Sequence, residues 1–552
     1  MLRQSLLVAV KEYDLPLSEV ELSYPNQSFG DYSTNLALKL AKTTGVSPRV
    51  LAKDIAAKLE SILHDLISEV SVAGPGFINI RLNDASLIEE MTKQPEKTLK
   101  GKVIVTEFSD PNPFKLLHAG HLYTSIVGDA IANLLTEKGA RVFRVNFGGD
   151  VGLHVGKAIW AMIRELGGEN PDRLRNIPPV ERSQWMSQAY VAGNAAYEDH
   201  ETAKREIIEI NQRVYAIQDR GDKRSALARI YWTTRQWSYD YFNEFYDRLH
   251  IHFDRFYPES ETVPVGLAIV KEQLKHGVFE SSNGAVVFRG ERFGLHTRVF
   301  INSNGLPTYE TKDLGLAELK RRDYNYDRSI IITANEQQQY MRVVYKALEQ
   351  FDRQLALSTT HLTHGIVRLS GGKKMSSRTG NILRAEDILD AAEAAVKELS
   401  DKPDNRLELA AVKYSMLKQR LGGDIIYEPK ESVNVLGNSG PYLQYAHARA
   451  RSILAKATGR ATPIKSITPT ERLLALTLSR YKDVVNQASS ELSPHILCSY
   501  LFETAQVFNR FYESNRVIGD EREGERLKLV EIYADKLKSG LRLLGIEAPA
   551  RL

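Results

Sequence analysis

Two histidines, His118 and His121, stand three residues apart in the segment HAGH, a spacing that could serve phosphate chemistry. At the start of a helix this spacing places both imidazole rings on one face, beside unpaired N–H groups and the positive end of the helix dipole. Gly120 lies between them and leaves room for a ligand to approach the backbone. The segment therefore predicts a site for a nucleoside triphosphate, and the alternative is a purely structural role for both rings.

A second segment, far downstream at residues 369–381, reads LSGGKKMSSRTGN. It combines glycines, hydroxyl groups and basic side chains, and it contains no acidic residue. A flexible basic loop of this composition can close over the pyrophosphate end of a nucleotide. The alternative for this segment is an ordinary solvent-exposed turn.

The elements that must position the histidines are visible in the surrounding pattern. Residues 102–108 are apolar in the manner of a buried parallel strand, residues 126–135 have helical periodicity, and residues 141–147 read as a second strand. Strand, helix and strand in this order predict a βαβ unit. The HAGH segment follows the first strand, and doubly wound sheets bind ligands at the carboxyl ends of their strands, so its position favours a functional site.

The length of 552 residues predicts a chain of two to four domains. Residues 1–95 read as a small α+β domain, residues 96–385 as a Rossmann-like domain with a helical insertion at about 155–260, and residues 386–552 as a linker and an all-helical domain. Further strands are predicted at 285–288, 297–302, 329–333 and 365–369, with a hairpin turn at 304–305, and only helices after about 385. The predicted fold class is therefore α/β and multidomain, with a parallel sheet in the Rossmann-like domain at residues 96–385.

The composition, 43% hydrophobic and 26% charged, excludes a disordered or collagen-like chain. No apolar run approaches the ~18 residues of a membrane helix, and the apolar start is too short for a signal peptide. We therefore expect a cytoplasmic protein that does not contact a membrane. The single cysteine, Cys498, is expected in the core, and without CxxC pairs or an HExxH motif no zinc site is predicted.

The net charge of +4 is too small to indicate a nucleic-acid partner by itself. The stretch between residues 441 and 482 is nevertheless locally basic, with one acidic residue, Glu471, among these basic ones: Arg449, Arg451, Lys456, Arg460, Lys465, Arg472, Arg480 and Lys482. A solvated helix surface and a polyanion-binding face explain this stretch equally well.

Both chemistry-bearing segments resemble signatures of one family. HAGH, preceded by PNP at residues 111–113, resembles the HIGH signature of class I aminoacyl-tRNA synthetases, and KMSSR at residues 374–378 resembles their KMSKS loop. The two occur in the family's order, and the pair is far more specific than either half. Further segments resemble the arginine-specific members: SFGDYSTN at 28–35, PTYETKD at 307–313, SGPYLQYAHAR at 439–449, FNRFY at 508–512 and LGIEAP at 544–549.

This resemblance implies an arginine–tRNA ligase with a helical anticodon-binding domain at its end and an N-terminal domain that contacts the tRNA. Such an enzyme joins L-arginine to ATP as arginyl-adenylate, releasing pyrophosphate, and then transfers the arginyl group to the terminal 2′-hydroxyl of tRNA(Arg), releasing AMP. Mg²⁺ is expected to bridge phosphate oxygens of the ATP. The resemblance further implies that bound tRNA is needed for activation and that Tyr442, Tyr445 and Arg449 contact it, and we expect a monomer.

By resemblance, catalysis falls to charge-stabilising groups, namely His118, His121 and Lys374, while Gly120 and Ser376 complete the ATP site. One departure from the family pattern is Ser377, which stands where the KMSKS signature has its second lysine. Lys115, three residues before His118, is expected to supply the missing charge from the other side, and Arg378 is the alternative source.

The substrate side also follows from the resemblance and from the chemistry of a guanidinium, a planar cation with five donors that needs carboxylates and an aromatic or hydroxyl partner. Tyr309 and Asp313, four apart on one helical face, are expected to contact it with help from Glu107, while Asn112 and Gln337 hold the α-amino end. The alternatives are a core tyrosine, a surface charge on a helix and a satisfied strand-end carboxylate.

Two other functions stay open. A class I synthetase for another amino acid would leave the Tyr309 and Asp313 pair without a purpose, and a cysteine enzyme would need zinc-binding cysteines. A non-catalytic tRNA-binding relative is consistent with the altered KMSKS loop, but such a protein would be expected to lose the histidine pair first, and both histidines are present.

Overall fold

A computed structural model of the chain describes residues 2–13, 19–26, 28–370, 383–399 and 404–552. The predicted ATP ligands Lys374 and Ser376, together with Ser377 and Arg378, lie outside these described residues. No helix within the described ranges is both long enough and apolar enough to cross a membrane.

The strands are β1 Tyr32–Thr34, β2 Ile67–Ala73, β3 Phe77–Leu82, β4 Val103–Glu107, β5 Arg141–Gly148, β6 Arg255–Pro258, β7 Glu280–Ser282, β8 Ala285–Phe288, β9 Arg298–Ile301, β10 Arg328–Ala334, β11 Thr359–His364, β12 Val367–Leu369 and β13 Ile425–Tyr427. The helices are α1 Leu2–Ala9, α2 Leu36–Thr44, α3 Pro48–Ile62, α4 Asp84–Thr92, α5 Ala119–Glu137, α6 Leu153–Glu165, α7 Arg182–Asp199, α8 Glu201–Arg220, α9 Ala226–Arg248, α10 Glu259–Lys275, α11 Tyr309–Tyr324, α12 Gln338–Glu349, α13 Arg353–Leu357, α14 Ala385–Leu399, α15 Asn405–Leu417, α16 Pro429–Ser432, α17 Gly440–Lys456, α18 Pro469–Ser479, α19 Tyr481–Ser490, α20 Pro494–Ser514 and α21 Glu523–Leu543. Short 3-10 segments lie at Lys11–Tyr13, Pro171–Asn176, Pro179–Glu181, Gly290–Phe293 and Asn335–Gln337.

The central sheet has five parallel strands in the order β11-β10-β4-β5-β6. The chain builds outward from β4 through β5 to β6, and it then returns to the other side of β4 for β10 and β11. The strand order therefore reverses between β4 and β10, and ligands of open α/β sheets bind in the crevice at such a switch point. The predicted βαβ unit, β4-α5-β5, and the predicted α/β multidomain class are both confirmed.

Several strands differ from the sequence expectation. The interval predicted as helical contains α6 to α9, but it ends in β6, a four-residue strand that is defined by its pairing with β5 rather than by its own pattern. The predicted strands at 285–288 and 297–302 belong to a separate antiparallel sheet with β7. The strand predicted at 365–369 is β12, and it pairs with β13, so the expectation of helices alone after residue 385 was wrong.

The first residues form an antiparallel sheet, β1-β3-β2, with α2 and α3 packed beside it, and this unit is joined to the later helices by ion pairs. Arg472 on α18 lies 2.6 Å from buried Asp31 and 3.1 Å from Asp84, and Lys482 on α19 pairs with Glu90 on α4. These two members of the basic stretch predicted from the sequence therefore hold the N-terminal unit, and they are not free to bind a polyanion.

Helix α5 is buried along most of its length and connects the sheet to the C-terminal helices. Its predicted apolar face is in the core, as is Cys498 on α20. At the carboxyl end of α5, Lys138 donates to Asn486 on α19, and Glu137 lies 2.8 Å from Arg542 on α21. Near its middle, Gly128 faces the ring of Phe108, and a Cβ at this position would overlap that ring. A glycine is therefore required for α5 to lie this close to the end of β4.

We predict that Gly128→Ala lowers the free energy of unfolding by about 1–3 kcal/mol, since overpacking a filled core forces neighbours to move. The midpoint of thermal unfolding measures this loss. Gly423→Ala is the matched control, because a Cβ there meets nothing within 4 Å. Equal midpoints for the two variants would contradict the close packing of α5 on Phe108.

Candidate active site

The two histidines predicted from the sequence cap the amino end of α5, and each supports the other. The Nδ1 atom of His118 accepts from the backbone N–H of Gly120 at 3.1 Å and of His121 at 3.4 Å, while Nδ1 of His121 accepts from the N–H of His118 at 3.1 Å. The rings stack with their centroids 3.7 Å apart. Because both Nδ1 atoms accept, the hydrogen of each neutral ring is assigned to Nε2, which is then the donor available to a ligand.

Both imidazoles are neutral at physiological pH. Burial lowers the pKa of His118 to about 4, with smaller contributions from His364 and Lys115. Burial also brings the pKa of His121 well below its ordinary value, and His118 and Lys115 add to the effect. The pair therefore offers two N–H donors without a positive charge, and a cation for a phosphate must come from another side chain.

Lys115 is the cation nearest to this pair in the sequence, and the structure places it at the same cleft. Its Nζ lies 4.2 Å from the centroid of the Tyr190 ring. Burial and, to a smaller extent, the charge of Lys157 lower its pKa to about 8, although the charge of Glu259 opposes them. Lys115 is therefore charged at neutral pH, but it is close to losing its proton.

Gly120 has a geometric reason to be a glycine. A Cβ at this position would lie 2.9 Å from the ring of His118, so any side chain would displace the capping imidazole. The ring of His364 is also close, at 3.9 Å from the same point. Gly120 thus keeps the histidine pair in place, and its expected contact with ATP stays a prediction.

The described residues that follow the segment predicted to close over the nucleotide lie beside the histidine pair. Beyond its downstream end, the backbone N–H of Ala119 donates to Leu383 at 2.9 Å, and the N–H of Ala385 donates to Leu117 at 3.0 Å. The chain that follows the KMSSR segment is therefore hydrogen-bonded on both sides of His118. This pairing brings residues 383–385 beside the histidine pair. Lys374 and Ser376 lie outside the described residues, so the meeting of the KMSSR segment with the histidines stays a prediction.

The loop between β4 and α5 is held in an unusual backbone conformation. Ser109, Asp110 and Phe114 all have positive φ angles, between 50° and 73°, which side chains other than glycine rarely adopt. Asp110 accepts from the N–H of Phe147 at 2.8 Å, and the N–H of Phe114 donates to Ser238 at 3.0 Å, so contacts on both sides fix the loop. Such strain is concentrated at functional sites, and no sequence pattern revealed it here.

On the opposite side of the switch point, α11 carries the predicted guanidinium ligands. Tyr309 is its first residue and is 54% exposed, and Asp313 follows one turn later on the same face, as the spacing predicted. The hydroxyl of Tyr340 donates to Asp313. Burial raises the pKa of Asp313 well above its ordinary value, and the nearby carboxylates Glu107 and Glu259 raise it further.

The other two carboxylates of this region already have cationic partners. Glu107, at the end of β4, is buried in an ion pair with Lys320, and Glu259 is buried in a pair with Lys312. The sequence analysis did not find Glu259 or either lysine, because pairs so distant along the chain leave no local pattern. Among the described residues, the partner found for the Asp313 carboxyl is the neutral Tyr340 hydroxyl, so a cationic ligand could neutralise this carboxylate.

Asn112 and Gln337 follow the two strands that flank the switch point. The Oδ1 atom of Asn112 accepts from the N–H of Gly149 at 2.8 Å, which ties the loop after β4 to the loop after β5. Gln337 is exposed in the 3-10 segment after β10. The structure therefore places both at the cleft, and their contacts with an α-amino group stay predictions.

His364 is a residue of this site that the sequence analysis missed. It ends β11, is buried, donates from Nδ1 to the Gly365 carbonyl at 2.6 Å and packs against Tyr123. β11 has the polar sequence TTHLTH, which lacks the apolar run expected of a buried strand. The signal that could have found it is the position itself, the carboxyl end of a strand beside β10.

The three residues predicted to contact tRNA lie on α17. Tyr445 is exposed, and Arg449, four residues later, is also exposed and stacks over the ring of Tyr512. The Tyr442 hydroxyl accepts from Asn509 at 3.0 Å, so this side chain is half-buried. Phe508 and Phe511, in the FNRFY segment at 508–512, belong to the core.

Comparison with known proteins gives matches along the whole chain. Three family models match in order: "Arginyl tRNA synthetase N terminal domain" at residues 1–82, "tRNA synthetases class I (R), catalytic domain" at 84–426 and "DALR anticodon binding domain" at 443–552. The arginine–tRNA ligase of Flavobacterium psychrophilum is 28% identical over all of this chain and 99% of its own. The structure of Thermus thermophilus arginyl-tRNA synthetase superposes with a TM-score of 0.82 at 26% identity, covering 100% of this chain and 99% of that one. The Plasmodium falciparum arginyl-tRNA synthetase gives the same TM-score at 20% identity, with coverage of 100% and 98%.

We predict that the affinity of this protein for ATP weakens as the pH rises through about 8, because Lys115 loses its charge there. The cation is fully present below this value and is lost above it, and each further pH unit removes at most about a factor of ten. Calorimetric titration with ATP between pH 7 and 10 measures the change. Lys115→Arg, whose guanidinium stays charged, is expected to bind ATP with the same affinity throughout, and a parallel decline in this variant would remove Lys115 from the site.

Proposed function

The chain belongs to the arginine-specific class I tRNA synthetases, and we propose that the cleft between β4 and β10 is the place where it activates arginine with ATP. It acts as an arginine–tRNA ligase, and the proposal concerns which residues perform each step. The observation that supports it most is the reciprocal cap of His118 and His121, which lies at the same switch point as the uncompensated carboxyl of Asp313.

In the first step, a carboxylate oxygen of arginine attacks the α-phosphorus of ATP, and the bond from that phosphorus to the pyrophosphate oxygen breaks. Negative charge then gathers on the leaving pyrophosphate. The Nε2–H groups of His118 and His121 donate to phosphate oxygens, the amino end of α5 adds its dipole, and Lys115 supplies a full charge. Lys374 and Ser376 are proposed to contact the same phosphates from the KMSSR segment.

In the second step, the 2′-hydroxyl oxygen of the terminal adenosine attacks the carbonyl carbon of arginyl-adenylate. The ester bond to tRNA forms, AMP leaves, and the hydroxyl proton is released. Both steps are group transfers, so positioning and stabilisation of charge carry most of the catalysis.

Mg²⁺ enters this proposal as the counter-ion of ATP. The groups beside the histidine pair are imidazoles and an ammonium, which suit phosphate rather than Mg²⁺, an ion that prefers oxygen ligands. Within the described residues, no group of three or more His, Cys, Asp or Glu side chains could hold a metal ion. The phosphate oxygens themselves are therefore the proposed ligands, and no side chain is assigned to the metal.

The substrate specificity is proposed to come from Asp313 and Tyr309. A guanidinium beside Asp313 would replace a neutral hydroxyl partner with a cation, and this relieves the repulsion from Glu107 and Glu259 that raises the Asp313 pKa. The exposed ring of Tyr309 offers a flat surface to the planar cation. A lysine ammonium lacks the flat, forked arrangement of donors that this pair suits.

The tRNA is proposed to contact the exposed face of α17 through Tyr445 and Arg449, with half-buried Tyr442 beside them. The basic residues of the 441–482 stretch that stay exposed, Arg451, Lys456, Arg460 and Lys465, would add phosphate contacts. In the SFGDYSTN segment of the N-terminal unit, 1–95, Phe29 is 56% exposed, whereas Asp31 and Tyr32 are buried, so the Phe29 side chain is within reach of tRNA. We further propose that the protein acts as a monomer in the cytoplasm.

The assay that tests this function is pyrophosphate exchange with ATP and Mg²⁺, run for each amino acid with and without tRNA. Exchange that depends on arginine is expected, and the presence of tRNA is expected to be required. Exchange with another amino acid would contradict the specificity, and its absence for every amino acid in the presence of tRNA would leave the non-catalytic relative as the better description.

We predict that Asp313→Asn raises the KM for arginine at least about thirtyfold, since loss of one partner of a buried charge pair costs about 2–5 kcal/mol. The KM for ATP is expected to stay within about twofold, because Asp313 does not contact the phosphate side. Steady-state exchange kinetics separate the two constants. Glu318→Gln is the control, a carboxylate of the same helix that pairs with Arg321 instead, and an equal effect of both variants would remove Asp313 from the arginine site.

A further inference from the structure

One face of α7, a helix between β5 and β6, contacts two lysines at the edge of the cleft. Tyr190, Asn194 and Tyr197 share this face, since they stand four and three residues apart. The Tyr190 ring lies 4.2 Å from Nζ of Lys115. Nζ of Lys157, on α6, donates to Asn194 at 2.8 Å and lies 4.1 Å from the Tyr197 ring. The inserted helices are therefore part of the cleft wall.

The packing of α7 fixes the position of this face. Gly193 lies against the backbone of α6, where a Cβ would overlap the carbonyl of Lys157. Ala189 is fully buried beside it, and Met186 contacts Ser238 on α9. Because the helices are in backbone contact, Tyr190 cannot withdraw from the cleft without moving α7 as a whole.

The Lys115 ammonium needs a neighbour, such as the Tyr190 ring, that stabilises its charge. It is largely removed from water, and the charged and titratable groups that face it from the surrounding elements are His118, His121, His154, Lys157 and Glu259. Within the described part of the chain, no carboxylate lies within 4.0 Å of its Nζ. The face of an aromatic ring attracts a cation, and the attraction is largest where water is excluded.

We propose that Tyr190 is a positioning residue for the activation step, whose ring holds the Lys115 ammonium at the phosphate side of the cleft. The helices inserted between β5 and β6 thereby complete the ATP site. This inference rests on the proposed role of Lys115 in stabilising the leaving pyrophosphate. Tyr190 itself acts through Lys115 and is not assigned a contact with the reacting atoms.

The test is a double-mutant cycle in arginine-dependent pyrophosphate exchange with tRNA present. Tyr190→Ala is expected to lower kcat about five- to thirtyfold, the range of a partly desolvated cation–π contact. Tyr190→Phe keeps the ring face and is expected to stay within about twofold of the parent. Lys115→Ala is expected to cost ~10²–10³, and adding Tyr190→Ala to it should change the rate less than twofold, because the two residues act through one contact.

The control for the helix itself is Tyr197→Ala, which removes a ring over Lys157 from the same face and is expected to leave kcat within about twofold. Circular dichroism and the unfolding midpoint establish that each variant is folded.

Three outcomes would overturn the inference. The first is an equal loss from Tyr190→Phe and Tyr190→Ala, which would assign the effect to the hydroxyl. The second is an undiminished loss when Tyr190→Ala is added to Lys115→Ala. The third is a rise in the KM for arginine with kcat unchanged, which would place Tyr190 beside Tyr309 in the amino-acid site. An inactive parent enzyme would instead overturn the proposed function, so the two failures are distinguishable.

Discussion

The reciprocal hydrogen bonds between His118 and His121 are the constraint on which the rest of the cleft depends. They satisfy amide groups that the first turn of a helix otherwise leaves unpaired, and in doing so they fix which nitrogen of each ring carries the hydrogen. Gly120 is required because the capping ring of His118 lies over it. The same contacts that stabilise the end of the helix thus prepare two neutral donors, and in the proposed function the positive charge comes from Lys115 and the KMSSR segment.

The cleft is divided by charge. On the side of α5, Lys115 and the two imidazoles have no carboxylate within 4.0 Å among the described residues, although Glu259 acts on Lys115 from farther away. On the side of α11, Asp313 has a neutral hydroxyl, that of Tyr340, as its partner. Each side therefore lacks an opposite charge that its proposed ligand would supply. The phosphates of ATP would supply it on the side of α5, and the guanidinium of arginine on the side of α11. The carboxylates of Glu107 and Glu259 are instead paired internally, with Lys320 and Lys312.

Most of the framework that carries this site could be predicted from the sequence, because sequence patterns report contacts between residues that are close along the chain. The β4-α5-β5 unit, the histidine pair at the helix start and the face shared by Tyr309 and Asp313 each depend on spacing within a few residues. What could not be predicted is long-range. β6 and β11 are defined by their neighbours in the sheet, Glu259 and Lys312 are separated by about fifty residues, and Tyr190 reaches Lys115 from a different helix. The basic stretch was divided by tertiary contacts, since Arg472 and Lys482 bind the N-terminal unit while Arg451 and Lys465 stay exposed.

Helix α5 has one end in the ATP cleft and the other held by Asn486 and Arg542 of the C-terminal helices. This buried helix has 19 residues and is about 28 Å long. Because a helix is stiff, a displacement of one end along the axis also moves the other end. In the proposed function, RNA engages the C-terminal helices, and a tilt of those helices would then move the end of α5 that lies opposite His118 and His121. One buried helix of the core would thereby couple the proposed RNA-binding face to the histidine pair.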